Sequence, residues 1–376
     1  MKKTLFTARI IMTVCLCLCI LTLLTACDDG CKNISNAVKN YYLQTISLKS
    51  GEEYTLNVRD IFQDSGLKIE KYRIEAGSNK NYTVRGDTII ATGTGVSEIT
   101  VSLFCPSEDT RYVCSLGTLY SYDEKDFTPV STASELQSIT DLNGRYILTG
   151  DIDLDGIDNW QPIGNFPAEN AFTGMFINPN GYKIKNLTIT SAAEVFHGPY
   201  GGCCGGLFGS VNGAFLYGIN LENVNIDVSD FDGKLYSEAG GLVAETNSTY
   251  IKNCSVSGNI KAIGRTGGIV GSVSWGCIEN CTFSGSVVAC ETLSEYALTD
   301  DAVGAGSIVG FAGIPCLFQV YKYGIIGCSA QGNVTAVKNA GGIAGYIWGG
   351  DYVKDCAFSG QVTAASSGDR FGTVQK

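Results

Sequence analysis

The sequence predicts an all-β protein in which a small β-sandwich precedes a parallel β-helix or closely similar β-solenoid opened by a short capping helix. Three observations lead there. A short glycine motif recurs through the C-terminal half: GGLFG at 205–209, AGGLVA at 239–244, TGGIVG at 266–271, AGSIVG at 305–310 and AGGIAG at 340–345. Most copies are followed by a second motif that ends in glycine, as NCSVSG (253–258), NCTFSG (280–285), GCSAQG (327–332) and DCAFSG (355–360). Residues 46–122, by contrast, alternate apolar and polar residues with no such repeat, as antiparallel strands do.

The chain has 376 residues, of which 44% are hydrophobic and 17% charged, so it can form real cores. Gly 47 against Pro 7, spread at intervals without a Gly-X-Y period, points to repeated tight turns and not to collagen or a loose linker. The formal charge of −11, with no basic stripe, argues against nucleic acid as a partner. One histidine, His197, excludes any mechanism that needs two imidazoles from this chain.

At the N-terminus Lys2, Lys3 and Arg9 precede an apolar run, 10–24, which closes in LTAC at 24–27. That order reads as a secretory signal over 1–26, too short in its apolar part to span a membrane comfortably. The LTAC stretch resembles a bacterial lipobox. The resemblance implies cleavage before Cys27, a diacylglyceryl group on its thiol, and membrane attachment of an exported protein through that lipid. Residues 27–45 then form a linker. Loss of three positive charges with the signal makes the mature chain more acidic still.

Cys15, Cys17 and Cys19 leave with the signal, and the cysteines that remain are odd in number even before Cys27 is lipidated. An exported protein can use them as disulfides. Cys105 and Cys114, nine residues apart, are the best candidate pair.

Residues 46–122 read as four to six short antiparallel strands, about 75 residues in a sandwich of modest size. GDTIIATGTGVSEITV at 86–101 resembles the C-terminal half of bacterial Ig-like domains, which implies that this part is a spacer.

Residues 131–199 start the array. STASELQSI supplies a short helix that Ser131, Thr132 or Ser134 can cap, with Glu135 in its first turn. A helix placed there covers the edge of the first rung. The carboxylates Asp151, Asp153, Asp155 and Asp158 with Gly156 imitate the opening of a calcium loop. Pro162 stands where that loop needs a bidentate Glu. Solvated turn carboxylates are the expectation, and no metal site or cofactor is assigned.

Residues 200–376 are the repeats. Counted from the second small residue of each glycine motif, Gly206, Gly241, Gly268, Ser307 and Gly342, the spacings are 35, 27, 39 and 35, a basic unit near 27 with insertions. Each unit holds two or three strand-length runs and no helix, so its apolar residues can be buried only by stacking on the next coil. The repeats resemble GLUG motifs, and 131–190, from ELQSI through GRYILTGDIDL and W-x-PIG to the FTGMFINPNGYKIKNLTI stretch, resembles the segment that introduces GLUG arrays in bacterial surface proteins. The same motifs occur in non-catalytic regions of immunoglobulin-A-specific zinc metallopeptidases. An H-E-x-x-H zinc helix needs two histidines, so the resemblance carries over the repeat and not the protease.

Cys254, Cys281, Cys328 and Cys356 fall at one equivalent position per coil. In register they lie about 4.8 Å apart, and parallel side-chain vectors favour a buried thiol ladder over disulfides. Trp275 and Trp348 follow their glycine pairs at similar distances, open to two readings, an aromatic platform for a ligand or a packed turn. His197 reads as a loop residue, and Cys203 with Cys204 as part of a turn.

No catalytic residues are assigned. The expected function is adhesion or scaffolding at the bacterial cell surface by a lipid-anchored, non-enzymatic repeat protein, with a host or neighbouring-cell glycan or protein as partner. The alternatives are a polysaccharide-acting β-helix enzyme, marked by Asp/Glu and a basic residue in a lateral cleft, or the non-catalytic fragment of a larger surface peptidase-like protein. The terminal SSGDRFGTVQK stands where another copy is due, so a truncated frame or a degenerate last rung is expected there.

Overall fold

The computed structural model describes residues 46–61, 69, 71–75, 81–105, 110–165, 168–191, 203–230, 237–290, 303–313, 324–348 and 353–364. The signal 1–26, Cys27, the linker 27–45, His197 and SSGDRFGTVQK lie outside them. The chain divides into two compact units, Met1–Asp123 and Glu124–Lys376.

In the first unit the alternating text becomes β1 (Ile46–Lys49), β2 (Glu53–Thr55), β3 (Lys71–Glu75), β4 (Tyr82–Arg85), β5 (Thr88–Ala91), β6 (Gly95–Cys105) and β7 (Thr110–Tyr122). They form a four-stranded sheet ordered β1-β7-β6-β3 and a three-stranded sheet ordered β2-β5-β4. Leu56, Val58, Ile89, Ile99, Val101 and Leu119 share one buried core. Two expectations need correction. β1 runs parallel to β7, so the strands are not all antiparallel. The hairpin register also rules out a Cys105–Cys114 disulfide, since Cys105 faces Thr110 while Cys114 faces Val101. Four residues of extended strand separate the two positions by about 13 Å, beyond disulfide reach.

The second unit is a stack of parallel coils, the solenoid-like arrangement the repeat predicts. Its entrance is the helix Ala133–Gln137, where Thr132 Oγ1 accepts from the Glu135 amide and the Glu135 carboxylate accepts from the Thr132 amide, a complete capping box. Thr132 is thus the cap among the three candidates. Leu136 anchors the helix in the solenoid core. The tryptophan of the W-x-PIG segment, Trp160, is fully buried, and its Nε1–H donates to Leu207 O at 3.1 Å.

Each full coil carries four strands, more than the two or three runs the text suggests. A first face stacks Cys203–Gly205, Ser237–Gly240, Arg265–Gly267, Gly304–Gly306 and Ala340–Gly341. A second stacks Phe208–Asn212, Val243–Asn247, Val270–Ser274, Val309–Gly313 and Ala344–Trp348. The eight-stranded third face includes Tyr250–Lys252, Cys277–Glu279 and Gly324–Ile326. The fourth, also eight-stranded, carries the long strands Asn220–Asp227, Ser255–Ile263, Thr282–Cys290, Ser329–Ala336 and Ala357–Ala364. Cys203 and Cys204 therefore open a strand and do not form a turn.

The glycine motif is the corner that divides the first run into two strands. A Cβ on Gly240 would lie 2.1 Å from Val243 O, and one on Gly271 would lie 2.5 Å from Ala244 O. Only glycine permits strands of adjoining faces and coils to meet backbone to backbone in this way. Inward residues fill the interior in rows, such as Leu216, Ile251, Ile278 and Ile325 on the third face.

Candidate functional site

Between the third and fourth faces five successive coils turn on one residue in left-handed conformation: Gly218 (φ 68), Asn253 (φ 55), Asn280 (φ 51), Gly327 (φ 61) and Asp355 (φ 53). That region is open to Gly, Asn and Asp and poor for other side chains, which accounts for the first letter of the Asn/Gly/Asp-Cys motif. The cysteine that follows points inward. Cys254, Cys281 and Cys328 are buried and Cys356 is half-buried. The Cys281 amide donates to Cys328 Sγ at 3.4 Å, and the Cys328 amide donates to Cys356 Sγ at 3.4 Å. All four thiols are free. Burial pushes the Cys281 thiol well up from its ordinary value. The hydrogen bond with Cys281 is the main cause of the same upward shift at Cys328. The ladder is part of the packed core, and at Cys281 and Cys328 ionisation is disfavoured.

After the cysteine the fourth-face strand bends at a second glycine row, Gly258 (φ 148), Gly285 (φ 148), Gly332 (φ 142) and Gly360 (φ 152). A Cβ on Gly285 would lie 1.8 Å from Gly258 O. The face holds a groove of about 520 Å³, running across the coils. Two rows of small polar residues line it, Ser255, Thr282 and Ser329 in one, and Ser257, Ser284, Gln331 and Ser359 in the other. Phe283 and Phe358 also contribute to the lining. Among the described residues Glu222 is the one charged residue of the lining, and Lys183 Nζ stands 2.6 Å from its carboxylate.

A second polar group lies at the corner between the first and second faces. Arg265 Nη1 donates to Glu238 Oε1 at 2.9 Å and to Ser272 Oγ at 3.3 Å. The guanidinium carbon sits 4.0 Å from the centroid of the Phe311 ring, which stacks on Tyr346 at 5.5 Å. Glu245, in register with Ser272 one coil later, faces the same guanidinium electrostatically. Burial raises both carboxyls and Arg265 opposes it, leaving Glu238 at about 7.

The remaining sequence candidates are dispersed. Ser274, Gly313 and Trp348 stand in one register row, so Trp348 lies two coils from Trp275 and one residue out of phase with it. Trp275 itself occupies a left-handed turn position (φ 53) and is half-buried. Asp153 Oδ1 accepts from the Asp155 amide at 3.0 Å and from Asn186 Nδ2 at 2.6 Å, and Asn223 Nδ2 donates to Asn186 Oδ1 at 2.6 Å. The Asp155 amide is the main reason the Asp153 carboxyl is held below its usual value. The Asp-rich turn thus feeds an amide ladder. Among the described residues no three His, Cys, Asp or Glu side chains converge as a metal set.

Neither a protein-family model nor a curated protein matches this chain. Among solved structures it is similar to the crystal structure of a candidate immunoglobulin A1 protease from Bacteroides ovatus, at 18% identity and a TM-score of 0.34, over 63% of this chain and 84% of that one. It is similar also to an IgA1 protease, at 14% identity and a TM-score of 0.37. That alignment covers 89% of this chain but 29% of the other, so this chain spans under a third of its length.

Sequence reasoning missed both polar groups. The groove residues sit inside the second motif, at the positions flanking its apolar residue. Glu238 and Arg265 each stand two residues before their glycine pair, and Glu245 and Ser272 each follow the motif's last small residue. A column-by-column alignment of the copies shows these as the positions that change.

Proposed function

We propose that the mature chain is an exported, lipid-anchored protein of a bacterial cell envelope. It is attached through Cys27, spaced by an Ig-like unit over 46–122, and uses its GLUG-like solenoid as a non-enzymatic surface for adhesion or scaffolding. The groove on the fourth face carries this reading. Its hydroxyl and amide side chains recur once per coil, about 4.8 Å apart, and its one charge is neutralised by Lys183. Repeated uncharged donors and acceptors suit an extended neutral polymer, and a glycan strand has that chemistry.

The polysaccharide-enzyme alternative asks for carboxylates and a basic residue open to a polymer. Glu238, Glu245 and Arg265 have the composition, but only 7% of the Glu238 side chain is exposed and Arg265 already occupies its oxygen. Among the described residues the groove is lined by one carboxylate, Glu222. Binding of the whole mature chain to arrayed neutral glycans, compared with a Ser284→Trp variant that fills the groove, tests the proposal. Loss of binding in the variant is expected. Cleavage of any polymer by the wild-type chain would falsify the non-enzymatic reading.

A further inference from the structure

The corner around Arg265 poses an electrostatic problem. Glu238 on the first face and Glu245 on the second belong to one coil, and Arg265 and Ser272 belong to the next. Two carboxylates therefore face a single guanidinium in a place where Glu238 is buried and Arg265 is mostly so. With both ionised, one negative charge is left uncompensated in a poorly hydrated site, which is costly.

Among the described residues the strands in register with this corner offer no second cation. Preceding coils place Cys204 in register with Glu238 and Ser210 in register with Glu245. Following coils place Gly304 next to Arg265, and Phe311 in register with Ser272. Among these described neighbours Arg265 is the sole positive charge, and the Phe311 ring fixes it by covering its face.

We propose that this corner is a proton-responsive clasp, in which Glu238 and Glu245 compete for Arg265 and uptake of one proton by the pair tightens the coil of 237–247 against that of 265–274. With the proton bound, one carboxylate and one guanidinium balance. On its loss, the surplus charge repels within the corner and the two coils separate more readily. The inference does not depend on what the groove binds.

The placement of the shift near neutral pH supports the clasp. Burial is the main cause that raises Glu238, Glu245 adds to it, and Arg265 works against both. Because the folded carboxyl keeps its proton after the unfolded one, with an ordinary value of 4.5, has lost it, the contribution is complete below about pH 4.5. It fades as pH rises through about 7.

The full mature chain, labelled with 13C in its glutamate carboxyls, is titrated from acid to alkaline pH by NMR, and amide exchange of residues 237–247 and 265–274 is followed at matched pH, corrected for the intrinsic rate. The expected result is one carboxyl titrating near neutrality and protection that drops on the order of tenfold between mildly acid and mildly alkaline solution. In Glu238→Gln both the titration and the drop disappear while protection stays high, since the amide oxygen still accepts from Arg265. Should that variant not fold, Glu245→Gln serves, and its neutral-range midpoint moves downward. The proposal is overturned by a wild type without a neutral-range carboxyl, by a Glu238→Gln chain with the wild-type drop, or by an unmoved midpoint in Glu245→Gln.

Discussion

Lys252 Nζ lies 3.1 Å from Glu279 Oε1, one coil apart on the third face and in direct register, with the two side chains 10% and 1% exposed. Two charges removed from water this far stabilise the fold only as a pair. Glu279→Gln alone therefore removes one charge of a buried ion pair and is expected to cost about 3–5 kcal/mol in urea unfolding of the second unit. Lys252→Met combined with Glu279→Leu restores most of the loss. A double variant as weak as the single one would show that the pair contributes more than mutual neutralisation.

The glycine row on the fourth face predicts the least tolerated substitution of the array. Gly285 has φ 148, and an added Cβ would lie 1.8 Å from Gly258 O. Gly285→Ala combines left-handed strain with a backbone collision, and a loss of about 3 kcal/mol or more is expected. Alanine at Gly213, where φ is 65 but nothing lies within 4 Å, serves as the milder control.

Thr246 presents the opposite case. Its row on the second face also holds Val211, Val273 and Ala312, and its buried Oγ1 has no hydrogen-bond partner. Thr246→Val removes an unsatisfied hydroxyl at constant shape and should raise stability by roughly 1 kcal/mol. A lower thermal midpoint in the variant would contradict this.

The cysteine ladder should be chemically silent. Cys254, Cys281 and Cys328 are buried, and the thiols of Cys281 and Cys328 are shifted away from ionisation. Since the thiolate is the reacting species, iodoacetamide at mildly alkaline pH should leave these three unmodified in the folded chain and modify them after denaturation. Mass spectrometry of the alkylated peptides reads the outcome. Rapid labelling of Cys281 in the folded chain would refute a closed stack.

Local chemistry made much of this fold legible. A short capped helix with Glu135 in its first turn is legible, though spacing leaves Ser131, Thr132 and Ser134 open as its cap. The recurring Asn/Gly/Asp-Cys motif is legible as a repeat, and the structure adds that its first residue takes the left-handed turn. What escaped depends on register between coils. Glu238 and Arg265 are 27 residues apart in sequence, and they meet only because Ala239 pairs with Thr266. Trp275 and Trp348 look equivalent by their distance from the glycine pairs, yet one terminates in a turn and the other remains in a strand. The Cys105–Cys114 pairing failed for a related reason, since a hairpin aligns residues about its turn and not by proximity in the text.

The left-handed residue and the glycine bend that follows it recur in every coil from Asn253 to Gly360, although the stretches between coils differ in length. Length is therefore free in this molecule while phase is not. A segment of one whole period, such as residues 255–281, begins and ends at matching points of the stack, with Ser255 paired to Thr282. A change of one whole period therefore keeps the strands on either side in phase, where a partial one would shift every pair that follows.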